Sequence, residues 1–150
     1  MRIILNLHAM VDFQLIFLDH VAIRVKDIDA SVAWHKKVLG LKCYQLPEWG
    51  DFPIFMLSGK TCIALFPANT NDPKLETTSK NVKIDHFAFQ VSNEAFSKAR
   101  KHYENLGLSY SFQDHHYFHS IYTKDLDRHT VELTTLVVNA DTFYSKKIDL

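Results

Sequence analysis

Leu18-Asp19-His20-Val21-Ala22-Ile23-Arg24-Val25 and Ile84-Asp85-His86-Phe87-Ala88-Phe89-Gln90-Val91 are two copies of one pattern. Each reads apolar-Asp-His-apolar-Ala-apolar-polar-Val. A helix-like stretch and a Leu-Gly-Leu follow both copies, at residues 39–41 and 106–108. The copies lie 66 residues apart at the histidines and 67 at the glycines, far longer than a solenoid period. One βα-containing module has therefore been duplicated, and the histidines of the two halves can meet.

Working outward, residues 17–25 alternate as a strand does. Asp27 or Asp29 offers an N-cap for a helix over 30–38, which Gly40 stops. Strands are expected over 41–46, 52–58 and 61–67, the last two joined by the tight turn Ser58-Gly59-Lys60. Residues 68–82 are polar and turn-rich and read as a linker. The order then repeats: a strand over 84–91, a helix capped by Ser92 or Asn93 and running to 106, and strands over 109–113, 118–123 and 130–135. The expected fold is α+β, two βαβββ modules forming a cupped mixed sheet. The modules span about 17–67 and 83–136. Neither half has enough core alone, so residues 1–150 are expected to form a single domain. The tail, 137–150, is expected to carry a short amphipathic helix after residue 138.

Strand parity then assigns faces. Val21, Ile23 and Val25 share one face of the first strand, while His20, Ala22 and Arg24 share the other. Phe87, Phe89 and Val91 oppose His86, Ala88 and Gln90 in the second copy, and Val131 and Leu133 oppose Thr130, Glu132 and Thr134 in the last strand. With helices covering the apolar faces, two histidines and a glutamate are left on a concave, partly solvated groove. The duplication supplies a further comparison. Val131-Glu132-Leu133 corresponds to Ile63-Ala64-Leu65 in the first half, so a symmetric site would carry a glutamate where Ala64 stands. Two histidines and one carboxylate leave metal positions open for water, substrate or oxygen. A lone strand histidine is ordinarily a hydrogen-bonded structural residue and a lone glutamate a solvated one. Three together on the non-helix faces of duplicated strands point instead to a shared metal site.

Composition narrows the partners. At 150 residues the chain buries roughly 70% of its unfolded surface. It is 47% hydrophobic and 23% charged, with net charge 0 when histidine is neutral, so nothing argues for nucleic acid. Eleven phenylalanines and nine histidines suit an apolar pocket with polar chemistry inside it. Cys43 and Cys62 are the two cysteines, too few and too far apart for a disulfide framework, which makes a reducing cytosol the expected compartment. No stretch reaches the ~18 apolar residues of a membrane span. The first residues lack a signal-peptide cleavage pattern, and Met10 is a candidate natural start that would make 1–9 an appendage.

These features resemble the vicinal oxygen chelate superfamily of glyoxalases, bleomycin and fosfomycin resistance proteins and extradiol dioxygenases. The resemblance covers about residues 17–136. It rests on the two Asp-His strands, on Val38-Leu39-Gly40-Leu41, and on Ser120-Ile121-Tyr122-Thr123-Lys124-Asp125-Leu126-Asp127-Arg128-His129-Thr130-Val131-Glu132-Leu133. The family's usual loop before its metal glutamate is Asp-Pro-Asp-Gly-Asn or Asp-Pro-Asp-Gly-His. Asp125, Asp127, His129 and Glu132 match it, whereas Leu126 and Arg128 depart, so Arg128 must take whatever dihedral the loop demands. The resemblance implies a divalent metal ion (Fe, Mn, Zn or Ni) held by His20, His86 and Glu132, and a homodimer.

Three chemistries fit that likeness, all on a small molecule with oxygens on adjacent atoms. A glyoxalase-type isomerisation, of the lyase class, needs a base where Ala64 stands. Opening of a small epoxide by thiol or water, as in the fosfomycin-resistance transferases, does not. Extradiol ring cleavage is typical of a two-histidine-one-carboxylate site. Five residues separate His115 from Ile121-Tyr122, which resembles a dioxygenase arrangement and makes His115 an acid/base candidate and Tyr122 a donor to substrate. The plainer reading of His115, His116 and His119 is a solvated turn, and that of Tyr122 is packing. A second metal site in the His-His-x-x-His run is a further possibility, although strand geometry would splay those side chains. A non-catalytic, small-molecule-sequestering protein is the alternative to an enzyme.

Overall fold

The computed structural model describes residues 16–81 and 83–144; the proposed appendage 1–9 and the tail beyond 144 lie outside the described residues. The first module runs β1 (His20–Val25), α1 (Ile28–Leu39), β2 (Lys42–Tyr44), β3 (Ile54–Ser58) and β4 (Thr61–Pro67). The second runs β5 (Phe87–Gln90), α2 (Asn93–Asn105), β6 (Ser111–Asp114), β7 (Phe118–Lys124) and β8 (Thr130–Leu136), with α3 (Ala140–Tyr144) after it. Each module forms its own four-stranded mixed sheet, in the orders β1-β4-β3-β2 and β5-β8-β7-β6. The β1–β4 and β5–β8 pairs are parallel and the others antiparallel. The twofold βαβββ reading of the sequence is thus the observed architecture.

Local chemistry sets the ends. Of the two candidate caps, Asp27 is used, its carboxylate accepting from the Ala30 N–H at 2.9 Å, and Gly40 closes α1 in the left-handed region at φ 67°. Ser92 caps α2 in the same way, accepting from the Ala95 N–H at 3.1 Å. The strand expected over 41–46 is cut to three residues because Pro47 starts a 3-10 turn, Pro47–Trp49, which takes the chain off the sheet. The strand expected over 84–91 starts only at Phe87, which leaves His86 in irregular backbone just ahead of it.

The predicted apolar faces form the cores. Ile23, Val25, Ile54, Met56, Ile63 and Leu65 are buried together in the first module, and Phe96, Tyr103, Ile121, Val131 and Leu133 in the second. Each such side chain contributes about 1.5–3 kcal/mol on burial. Trp34 and Val38 of α1 belong to the second cluster rather than the first, and Phe87 and Phe89 border both. The helix of one half therefore completes the core of the other. Two polar contacts run the same way: His102 Nε2 meets the Lys37 carbonyl at 3.0 Å, and the Lys26 N–H donates to Asp127 at 3.0 Å. His35, fully buried in α1, places Nδ1 2.8 Å from the Ser31 carbonyl, and burial holds its pKa below the ordinary histidine value.

Candidate functional site

Strand register places equivalent residues of the two modules side by side. In the first, Ala22 pairs with Ala64, Ala64 with Phe55, and Phe55 with Tyr44. The matching row in the second is Ala88, Glu132, Tyr122 and Ser111. The sequence correspondence of Ala64 with Glu132 is reproduced strand for strand, and it extends one strand further, to Phe55 against Tyr122.

On the second module's face the polar groups converge. His86 Nδ1 lies 2.9 Å from an Asp85 carboxylate oxygen, and its Nε2 lies 3.1 Å from Glu132 Oε2. Glu132, expected in a partly solvated groove, is only 6% exposed, because β8 is flanked by β5 and β7. One imidazole thus stands between two carboxylates, and the gap between Nε2 and Oε2 must be bridged by a proton or by a cation. An imidazole nitrogen and a carboxylate oxygen are both donors that divalent ions take, so the chemistry of this pair suits such an ion. Tyr122 packs edge-on against His86, with centroids 5.8 Å apart, and its hydroxyl is 2.8 Å from His115 Nε2. Burial first, and then the negative charge of Glu132, pushes the Tyr122 hydroxyl above its ordinary pKa. Beside them, His115, Phe118, Ser120, Glu132 and Thr134 line a cavity of about 250 Å³.

His20 occupies the corresponding place on the first module, its Nδ1 2.7 Å from an Asp19 carboxylate oxygen. Its surroundings differ. The ring lies 5.7 Å from Phe55, which in turn lies 4.8 Å from Trp49. Gln45 holds the turn that carries Trp49 by donating to the Gly50 and Asp51 carbonyls. Tyr44, Trp49 and Phe52 remain well exposed there. His20 and His86 line one cleft of about 640 Å³ between β1 and β5. His20 nevertheless does not join the His86–Glu132 pair, since among the described residues no three His, Cys, Asp or Glu side chains are grouped to hold an ion.

The His-His-x-x-His run is splayed. His115 faces Tyr122, His116 takes φ 69° and lies against Tyr117, and His119 lies against Phe112 with Asp114 at 3.8 Å. The loop that departs from the family pattern closes around buried Asp125, which accepts from the Asp127 and His129 N–H groups and from His129 Nδ1, at 3.0, 2.8 and 2.8 Å. Arg128 takes the left-handed conformation, φ 70°, in the place of the usual glycine. Sequence reasoning did not find the Asp19 and Asp85 contacts or the aromatic wall. The signal for the first was the aspartate directly before each histidine.

Comparison with known proteins agrees with this architecture. Among curated protein sequences none matches the chain. Among solved structures, the chain is similar to a glyoxalase/dioxygenase from Nostoc punctiforme, with TM-score 0.71 and 18% identity over 86% of this chain and 97% of that one. It is also similar to the fosfomycin resistance protein FosX from Listeria monocytogenes, with TM-score 0.62 and 18% identity over 85% and 98%. A lactoylglutathione lyase from Agrobacterium tumefaciens gives TM-score 0.61 and 22% identity over 81% and 94%. At these identities the structures share the fold. The family model of the Glyoxalase/Bleomycin resistance protein/Dioxygenase superfamily matches residues 17–133, and with the duplicated βαβββ topology this makes the chain a member of that superfamily.

Proposed function

We propose that the protein is a metal-dependent enzyme acting on a small molecule that carries oxygens on adjacent atoms, with His86 and Glu132 holding a divalent ion (Fe, Mn, Zn or Ni) and His20, set apart from that pair on the same cleft, as the third ligand the resemblance implies. The observation that carries this reading is the His86–Glu132 pair, two unlike donors 3.1 Å apart with the carboxylate buried. The ion, when bound, supplies Lewis acidity toward charge developing on a substrate oxygen. Around it, Tyr122 donates its hydroxyl hydrogen bond to the substrate. His115, 2.8 Å from that hydroxyl, takes or returns a proton. Ala64, fully buried, supplies no base on the opposite side, so glyoxalase-type isomerisation fits less well than dioxygenase-like or fosfomycin-resistance-transferase-like chemistry. The wall of Tyr44, Trp49 and Phe55 covers the apolar part of the substrate.

A second reading, non-catalytic sequestration of a small molecule, rests on that exposed aromatic wall. A homodimer belongs to the proposal: Leu18 and Ile84, 77% and 71% exposed on the cleft, offer apolar surface to a second copy. Two unpaired cysteines suit a cytoplasmic setting, and no helix of the described residues is long and apolar enough to cross a membrane. The test is a turnover screen of metal-loaded protein against catechols, epoxides with thiols, and hemithioacetals, run beside Glu132→Ala. The expected result is turnover of one class that the variant loses. Tight binding without turnover across all three, with the ion bound, would establish sequestration instead.

A further inference from the structure

We propose that Asp19 and Asp85 are positioning residues that fix the tautomer and aim of the two site histidines, an inference that rests on the metal reading above. The same device occurs twice. Asp19 Oδ1 is 2.7 Å from His20 Nδ1, and Asp85 Oδ2 is 2.9 Å from His86 Nδ1. Adjacent side chains in a regular strand point to opposite faces, so an aspartate and the next histidine could not touch there. In both modules the aspartate lies before the strand begins: β1 starts at His20 and β5 at Phe87. The irregular backbone turns each carboxylate back onto the face of its histidine. The outcome is chemical. A carboxylate accepting from Nδ1–H keeps the proton on that nitrogen and leaves the Nε2 lone pair for an ion. In the second module Nε2 is indeed the nitrogen turned to Glu132, at 3.1 Å.

Both aspartates are largely exposed, at 72% and 76% of the side chain, so neither is needed for the core. The repeated aspartate before each histidine is thereby explained without a role in packing. It does not touch substrate and acts through the imidazole.

The test is titration of the purified full chain with Mn²⁺ alone, for wild type, Asp85→Ala, Asp85→Asn and Glu132→Ala, with ¹⁵N spectra of the imidazoles recorded in parallel. Asp85→Ala is expected to weaken Mn²⁺ binding by about 10–100-fold and to release His86 from a fixed Nδ1–H tautomer. Asp85→Asn, whose side-chain carbonyl still accepts from Nδ1–H, is expected to recover most of the affinity and the tautomer. Asp19→Ala should do the same to His20. If Glu132→Ala loses Mn²⁺ while Asp85→Ala binds within about twofold of wild type and keeps its tautomer, the positioning role is overturned and the metal site stands. If Glu132→Ala binds as wild type does, the metal reading itself fails.

Discussion

The two modules share one backbone plan and have opposite inner faces. The row Ala22–Ala64–Phe55–Tyr44 is apolar apart from one phenol, whereas its counterpart Ala88–Glu132–Tyr122–Ser111 carries a carboxylate and two hydroxyls. Between Phe55 and Tyr122 the difference is a single oxygen; between Ala64 and Glu132 it is a whole charged group. Duplication preserved what folding requires, namely the buried faces, caps and register. It left the rows on the other faces free to differ, with aromatic rings on one module and a carboxylate and hydroxyls on the other.

That division can be broken experimentally, and the largest effect is expected at Tyr122. Tyr122→Phe makes the second row resemble the first, and kcat should fall by about 10²–10⁴-fold with little change in KM, measured on whichever substrate the screen identifies. An unchanged kcat would make Tyr122 packing alone. Trp34→Ala tests the opposite aspect, the sharing of a core. We infer that the modules fold as one cooperative unit, so removing this indole should cost about 3–5 kcal/mol in denaturant unfolding and preserve a single transition. Two separated transitions would show independent halves. Trp49→Ala strips the wall, and substrate affinity should drop roughly tenfold with kcat retained, the expected loss of one stacked aromatic contact.

The smallest effect is a pH dependence at the loop joining β7 and β8. Asp125, through its hydrogen bond and its charge, raises the His129 pKa above the ordinary value near 6.5. A raised folded-state pKa contributes stability that is fully present below the unfolded pKa and lost as pH rises through the folded one. The stability difference between wild type and His129→Ala should therefore be greatest below about pH 6.5 and shrink above it. A difference that grows with pH would contradict the assignment. His35, lowered by burial, works in the other direction and is present in both proteins.

Much of this was legible in the sequence because it depends on period and local chemistry. Alternation separated Ile23 and Val25 from His20 and Arg24, the Asp27 and Ser92 caps set the helix starts, and the repeat itself aligned Ala64 with Glu132. What escaped depends on backbone irregularity or on how the modules meet. The fold-back of Asp19 and Asp85 requires the strand to begin late. Trp49 reaches Phe55 through a one-turn helix at Pro47. Strand parity puts His20 and His86 on equivalent faces but says nothing of their separation, and here His20 stands across the cleft from the pair. Trp34 stands on α1 of the first half and serves the core of the second, because a helix period identifies an apolar stripe without naming the sheet it covers.

We propose that the reactive half of this pseudo-symmetric pair is the one carrying Glu132. The decisive measurement is elemental analysis of protein purified without chelator, and of Glu132→Ala prepared identically. About one divalent ion per site is expected in the wild type, and its loss in the variant. Equal metal content in the two proteins, or none taken up by either, would contradict it.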